Sequence, residues 1–199
     1  VSGLSSVRLP HHFAERGTVD SHVRLCWRTR HLDQLHRRYQ SEGVRVSDVY
    51  RGLGNTAYFD FWDTCEGIRF TAQEDDSVRE PFEPSWIRIG VSDVARSVRW
   101  YEQVMGMQLE RDSDEDGYAI MSLRLSHRPD EKSLWVLEPL PEGAHVGNVD
   151  GAVRPVCRVA DRERFFGYHA YLRDSGIETS DIGGYVTRGL VGFHFYDPD

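Results

Sequence analysis

Cysteine is scarce in this chain of 199 residues, basic charge is outnumbered, and long apolar runs are missing. Three cysteines, Cys26, Cys65 and Cys157, are too few and too scattered for a disulfide framework, and none stands in a CxxC or other zinc-ligand spacing. A reducing, cytoplasmic setting is the expectation that follows. Lys and Arg total 24 against 32 Asp and Glu, a net charge of −8, so no basic excess is available to neutralise a phosphate backbone. Nucleic acid is therefore not an expected partner. No apolar run approaches the roughly 20 residues that cross a bilayer, and the opening VSGLSSVRLPHHF lacks the charged-then-apolar order of a signal peptide. No membrane partner is expected either. Patterns of the GxSxG, HExxH and P-loop kinds are also missing, and the nine histidines are scattered.

What the sequence does contain is 39% hydrophobic and 12% aromatic residues, enough to fill a core, and a clear internal repeat. Gly43, Ser47 and Asp48 of EGVRVSDV reappear 133 positions later as Gly176, Ser180 and Asp181 of SGIETSDI. LHRRYQ (35–40) lies opposite YHAYLR (168–173), and FDFWD (59–63) lies opposite FHFYD (193–197) after a one-residue gap. Each copy opens with a β-type stretch, HVRLCWRT or RPVCRV, in which Cys26 and Cys157 read as small buried thiols. An amphipathic helix ending at a glycine follows, then a short β run, a Gly-rich turn and an aromatic strand.

A third copy stands between these two and starts at WIRIGV (86–91). Val94, Val98, Tyr101 and Val104/Met105 fall at helical spacing, with Ser92 or Asp93 to cap the helix and Gly106 to end it. Three strand candidates, MQLERD, YAIMSLRL and SLWVLEPL, complete a β-α-β-β-β unit. The stretch 71–85 is acidic, carries two prolines and reads as a linker.

WIRIGVSDVARSVRWYEQVMGMQL, with Val91, Asp93, Ser97, Trp100, Tyr101 and Gly106, resembles the opening of a module of the vicinal oxygen chelate superfamily. That group includes glyoxalases, bleomycin-resistance proteins and extradiol dioxygenases. FHFYDPD (193–199) resembles the family's entry into its last strand, and FWDTCEGIRF (61–70) is a degenerate form of it. The resemblance implies an α+β fold of repeated β-α-β-β-β modules that pair into curved mixed sheets around a cavity. It implies an incomplete domain over 1–72, a linker over 73–85 and a nearly complete two-module domain over 86–199, as in a tandem protein of four modules. The first copy would then pair with a second subunit, as a homodimer, or with a missing module.

Active members of the family hold a divalent metal on His, Gln or Glu from the first and last strands of paired modules. By this alignment Trp86 occupies one first-strand position and Arg154, or Pro155 if the register slips by one, its counterpart, none of them a ligand. Glu138 falls at the carboxylate position, and in the first copy His22 stands at the ligand position with Phe70 or Thr71 where its carboxylate partner belongs. His22 and Glu138 are thus the only weak metal candidates, and a dication needs at least three such ligands. His194, and Asp60 at the equivalent place of the first copy, are candidates to face the cavity. The expected cavity set is Trp86, Glu138, Arg154, His194 and Asp60, with Arg154 and Glu138 orienting a polar or anionic small molecule.

The function this implies is a glyoxalase- or bleomycin-resistance-like protein whose metal-degenerate cavity binds a small organic ligand, with no cofactor. Two alternatives stand beside it. One is a metal-dependent lyase, isomerase or dioxygenase whose remaining ligands lie in absent terminal segments; the other is a dimerisation or protein-binding scaffold using exposed sheet edges.

Overall fold

The computed structural model describes residues 22–65, 67–113, 117–125, 128–140, 144, 153–159, 161–185 and 190–199. The first copy contributes β1 (Val23–Thr29), α1 (Leu32–Ser41), β2 (Tyr50–Arg51), β3 (Ala57–Trp62) and β4 (Arg69–Glu74). The second contributes β5 (Glu83–Val91), α2 (Val94–Met105), β6 (Gln108–Ser113), β7 (Tyr118–Leu125) and β8 (Arg128–Pro139). Each is a β-α-β-β-β module, and the α+β class follows from the sequence as expected.

Local chemistry sets the boundaries of α2. The Asp93 carboxylate accepts a hydrogen bond from the Arg96 amide at 2.9 Å, which satisfies one of the orphan donors of the first turn. Gly106 closes the helix in the left-handed region, φ +65°, where a side chain would be strained. Between these ends Val98 and Tyr101 turn toward the sheet and pack with Ile87, Ile89, Val91, Met121, Trp135 and Leu137. Burial of each such side chain is worth about 1.5–3 kcal/mol, so the helix is held chiefly by its apolar face. A second cluster, Leu32, Ala57, Phe59 and Ala72, does the same for α1.

All eight strands join in one mixed curved sheet of order β2-β3-β4-β1-β5-β8-β7-β6. β1 runs parallel to β4, and β5 runs parallel to β8, while β1 and β5 meet antiparallel at the centre. In that central ladder Arg24 stands opposite Arg88. Side chains alternate across a strand, so turning Ile87, Ile89 and Val91 toward α2 sends Arg88 and Gly90 to the opposite face.

This pairing differs from the one implied by a half domain over 1–72 and a paired domain over 86–199. The second copy takes the first copy, not the third, as its sheet partner. Residues 73–85 are not a loose linker: they hold the end of β4, a turn and the start of β5. The acidic residues are absorbed by β1, because Arg28 donates to Asp75 and to Glu83, each at 3.2 Å. A connection this short favours pairing between neighbours in sequence.

The third copy supplies α3 (Arg162–Asp174) and a hairpin of β9 (Gly183–Tyr185) and β10 (Leu190–Gly192). Its kinship with the first copy extends to single hydrogen bonds. His36 Nε2 donates to the Ser47 carbonyl at 2.8 Å, and His169 Nε2 donates to the Ser180 carbonyl at 3.0 Å. The Asp60 amide donates to Ser47 Oγ and the His194 amide to Ser180 Oγ, both at 2.9 Å. Both histidines also meet a phenylalanine edge to face, Phe59 in one copy and Phe193 in the other. Residues 153–159, expected as this copy's first strand, belong to no ladder among the described residues, and Cys157 is exposed where burial was expected.

The third copy rests on α2. Tyr168 donates its hydroxyl hydrogen to the Val104 carbonyl at 3.1 Å, Tyr101 donates to Asp197 at 2.6 Å, and Phe195 stacks near Trp100. The buried Asp199 carboxylate accepts from the Ser92 amide, Arg96 and the Ser97 hydroxyl at 3.1, 2.7 and 3.2 Å. No helix among the described residues is long and apolar enough to cross a membrane.

Candidate functional site

The face of the sheet turned away from the helices holds a cavity of about 240 Å³ between the first two modules. Its position follows from register. Arg24 of β1 faces Arg88 of β5, Gly90 of β5 lies beside Glu138 of β8, and Asp60 of β3 lies beside Thr71 of β4. Five polar side chains from five strands are thereby brought to one surface. A Cβ at Gly90 would press on the end of the Leu140 side chain, which would have to shift to admit it.

Charge organises the wall. Glu138 is clamped by both central arginines: Arg88 reaches Oε2 through Nη2 and through Nε, the latter at 3.0 Å, and Arg24 reaches Oε1. Asp60 accepts from Thr71 Oγ1 at 2.7 Å, Tyr50 at 3.1 Å and Arg24 at 3.4 Å, while Arg69 stands 3.6 Å away. Arg24, Arg88 and Asp60 are all buried, so these bonds are what makes their charge tolerable. The Arg88 guanidinium also sits 4.9 Å over the Tyr58 ring.

Burial shifts the protonation of this group. It holds the Arg24 guanidinium below the usual arginine range; Asp60 opposes this, and Arg69 and Arg88 add to it. Burial pushes the Tyr50 phenol up, and Asp60 pushes it further, so Tyr50 serves as a donor. The Tyr58 phenol is pushed up to about 12 by burial. Burial likewise raises the Cys26 thiol, which keeps it protonated although Arg88 and Arg24 pull the other way.

These residues do not suit a divalent cation. The strand positions that converge on Glu138 carry two guanidiniums, which are cationic and have no acceptor to offer. Among the described residues there is no group of three or more His, Cys, Asp and Glu placed to hold a metal. An anion is another matter. Arg88 spends its Nε and Nη2 on Glu138, and its Nη1 is buried with no hydrogen-bond partner.

Of the residues expected in the cavity, Glu138 and Asp60 are brought together on its wall, and His22 also lines it. Trp86, half-buried on β5 two positions before Arg88, is not among the lining residues. Arg154 and His194 are not there either. They face one another in the third copy, with Nη1 of Arg154 3.4 Å from Nδ1 of His194. The expected partnership of Arg154 with Glu138 is therefore replaced by that of Arg24 and Arg88 with Glu138. The cause is the sheet order: β8 borders β5, and the next strand beyond β5 is β1, not a strand of the third copy.

Arg24, Arg88, Arg69, Tyr50 and Thr71 were not among the expected site residues. For Arg24 and Arg88 the signal lay in the alternation of VRLC and IRIG, where one arginine interrupts an apolar strand at the same place in both modules. A shift of two residues along the strand, from His22 and Trp86 to Arg24 and Arg88, separates the expected floor from the one formed.

Comparison with known proteins bears on the fold. The family model for the Glyoxalase/Bleomycin resistance protein/Dioxygenase superfamily matches residues 84–199, more than half of the chain. Among solved structures, a V278E mutant of glyoxalase I from Zea mays is similar over 88% of this chain and 63% of that one, at 19% identity and a TM-score of 0.58. The chain thus spans less than two thirds of that protein's length. A putative dioxygenase from Bacillus subtilis is similar over 81% of this chain and 53% of its own, at 12% identity and a TM-score of 0.49. Methylmalonyl-CoA epimerase from Mycobacterium tuberculosis is similar over 65% and 97%, at 16% identity and a TM-score of 0.41. No curated protein matches the chain in sequence.

Proposed function

Because the chain belongs to the glyoxalase/bleomycin resistance protein/dioxygenase superfamily, we propose that it binds a small anionic organic molecule in the cavity between its first two modules, without a metal. The observation that carries this reading is the replacement of a cation-holding floor by a cationic one. Arg24 and Arg88 close on Glu138 from the two neighbouring strands β1 and β5, and Arg88 keeps a buried donor in reserve. A guanidinium matches a carboxylate in charge and in planar geometry. Binding or sequestration accounts for such a site without any catalytic group.

The proposal carries with it a cytoplasmic setting, supported by three free cysteines, and a further module or second subunit as partner to the third copy. Isothermal titration with acetate tests the ligand reading. Saturable binding that disappears in Arg88→Met and weakens in Arg88→Lys is the expected result. Equal binding by all three proteins would place any anion elsewhere.

A further inference from the structure

The two modules contribute unlike walls to the cavity. Among the described residues, the first module lines it with polar side chains alone, His22, Arg24, Tyr50, Asp60 and Arg69, whereas Gly90, Pro139 and Leu140 of the second stand together where β5 and β8 end. The backbone sets that end apart. The Gly90 amide donates to the His22 carbonyl at 2.8 Å and the Leu140 amide to the Val91 carbonyl at 3.0 Å, while Pro139 has no N–H. None of the three therefore has an amide donor to offer a ligand. Leu140 lies over Gly90, with its Cδ2 2.4 Å from the place where a Cβ would stand. The bare backbone at Gly90 thus seats a leucine side chain in the same chamber as the guanidiniums.

We infer that the ligand is a carboxylate with a short apolar tail, and that Leu140 is the residue that selects for the tail. The inference rests on the anion reading above and names the rest of the molecule. With the carboxylate held on the guanidinium side, the tail runs over Gly90 and meets Pro139 and Leu140. Each methylene that leaves water for this contact is worth about fourfold in affinity. A polar tail would give up its water there with no amide to replace it. His22 borders the same end, so the preference is read at pH 8, where an imidazole is ordinarily uncharged.

Calorimetric titration of the full chain with acetate, propanoate and butanoate decides the matter. Butanoate, two methylenes longer, should bind on the order of tenfold tighter than acetate, with propanoate between them. Leu140→Asn keeps the branched shape of the side chain and makes it polar, and should bring butanoate to within about twofold of acetate. Leu140→Ala removes the contact instead; it should narrow the same ratio, and serves if Leu140→Asn fails to fold. Acetate binding with no gain for butanoate in the unaltered chain would overturn the inference while leaving the anion site standing. A ratio unmoved by the Leu140 variants would overturn it as well. No binding of any of the three acids would remove the anion reading itself and the inference with it.

Discussion

The first and third copies share a sequence repeat and a set of hydrogen bonds, yet among the described residues the cavity beside β5 is lined by the first copy and not by the third. In both, a helix histidine donates to a serine carbonyl, and that serine's hydroxyl accepts the amide of the residue at the critical strand position. That residue is Asp60 in the first copy and His194 in the third. An arginine meets each of them at 3.4 Å, Arg24 in one and Arg154 in the other. The surroundings differ. β1 is flanked by β4 and β5, which bury Arg24 and Asp60, whereas Arg154 is half-buried and His194 exposed. The module encodes its own latch, and among the described residues the cavity of the first copy lies where two modules share a central ladder.

The largest contrast should come from the two arginines. Arg24→Met removes a partner from both Asp60 and Glu138 in a buried cluster, and should cost about 3–5 kcal/mol in urea unfolding. Arg154→Met should cost within about 1 kcal/mol, because water compensates a half-exposed pair. Similar losses in the two variants would break the comparison.

The latch should behave alike in both copies. His36→Ala and His169→Ala each lose one hydrogen bond to a carbonyl and one aromatic contact, worth about 1–3 kcal/mol together. A loss confined to one copy, read from amide exchange of Ser47 against Ser180, would show that the repeat is one of sequence only.

A smaller effect concerns how the third copy is held to α2. Burial pushes the Asp199 carboxyl up, but hydrogen bonds from Ser92 and the charge of Arg96 outweigh it and leave the group below its ordinary value of 3.8. A depressed carboxyl adds stability above its unfolded value, and that contribution is lost as pH falls through the folded one. The contact should therefore be whole at neutral pH and weaken only below about pH 4. Trp100 fluorescence followed through an acid titration, with Asp199→Asn as control, checks this; a transition that the variant leaves unchanged would assign it to another group.

The smallest expected effect is none. Addition of zinc, nickel or manganese should leave the melting temperature unshifted, since two guanidiniums occupy the floor where a dication would need donors. Near-stoichiometric metal that shifts melting and depends on Glu138 would contradict the cationic floor.

Much of the fold was legible because periodicity and capping are local. Asp93 and Gly106 bound α2 as expected, and the offset of 133 residues reappears in matched hydrogen bonds. Glu138 and Asp60 reach the cavity for the same reason: each lies on a strand whose alternation is plain. Register and partner choice are not local. Whether β5 takes β1 or a third-copy strand as neighbour depends on the ladder formed and on the short connection over 75–82, and a two-residue shift exchanges His22 and Trp86 for Arg24 and Arg88. Arg154 was placed opposite Glu138 on the strength of the repeat, and the repeat is real; what differs is the strand beside it.

A crystal of the chain soaked in 4-bromobenzoate, a single-charge carboxylate whose aryl bromide does not alkylate the exposed thiols and serves as an anomalous scatterer, puts the central claim to the most direct test. Anomalous density should appear in the cavity between the first two modules, with the carboxylate against Arg88 Nη1. Density beside Arg154 and His194 with none at Arg88 would contradict the account.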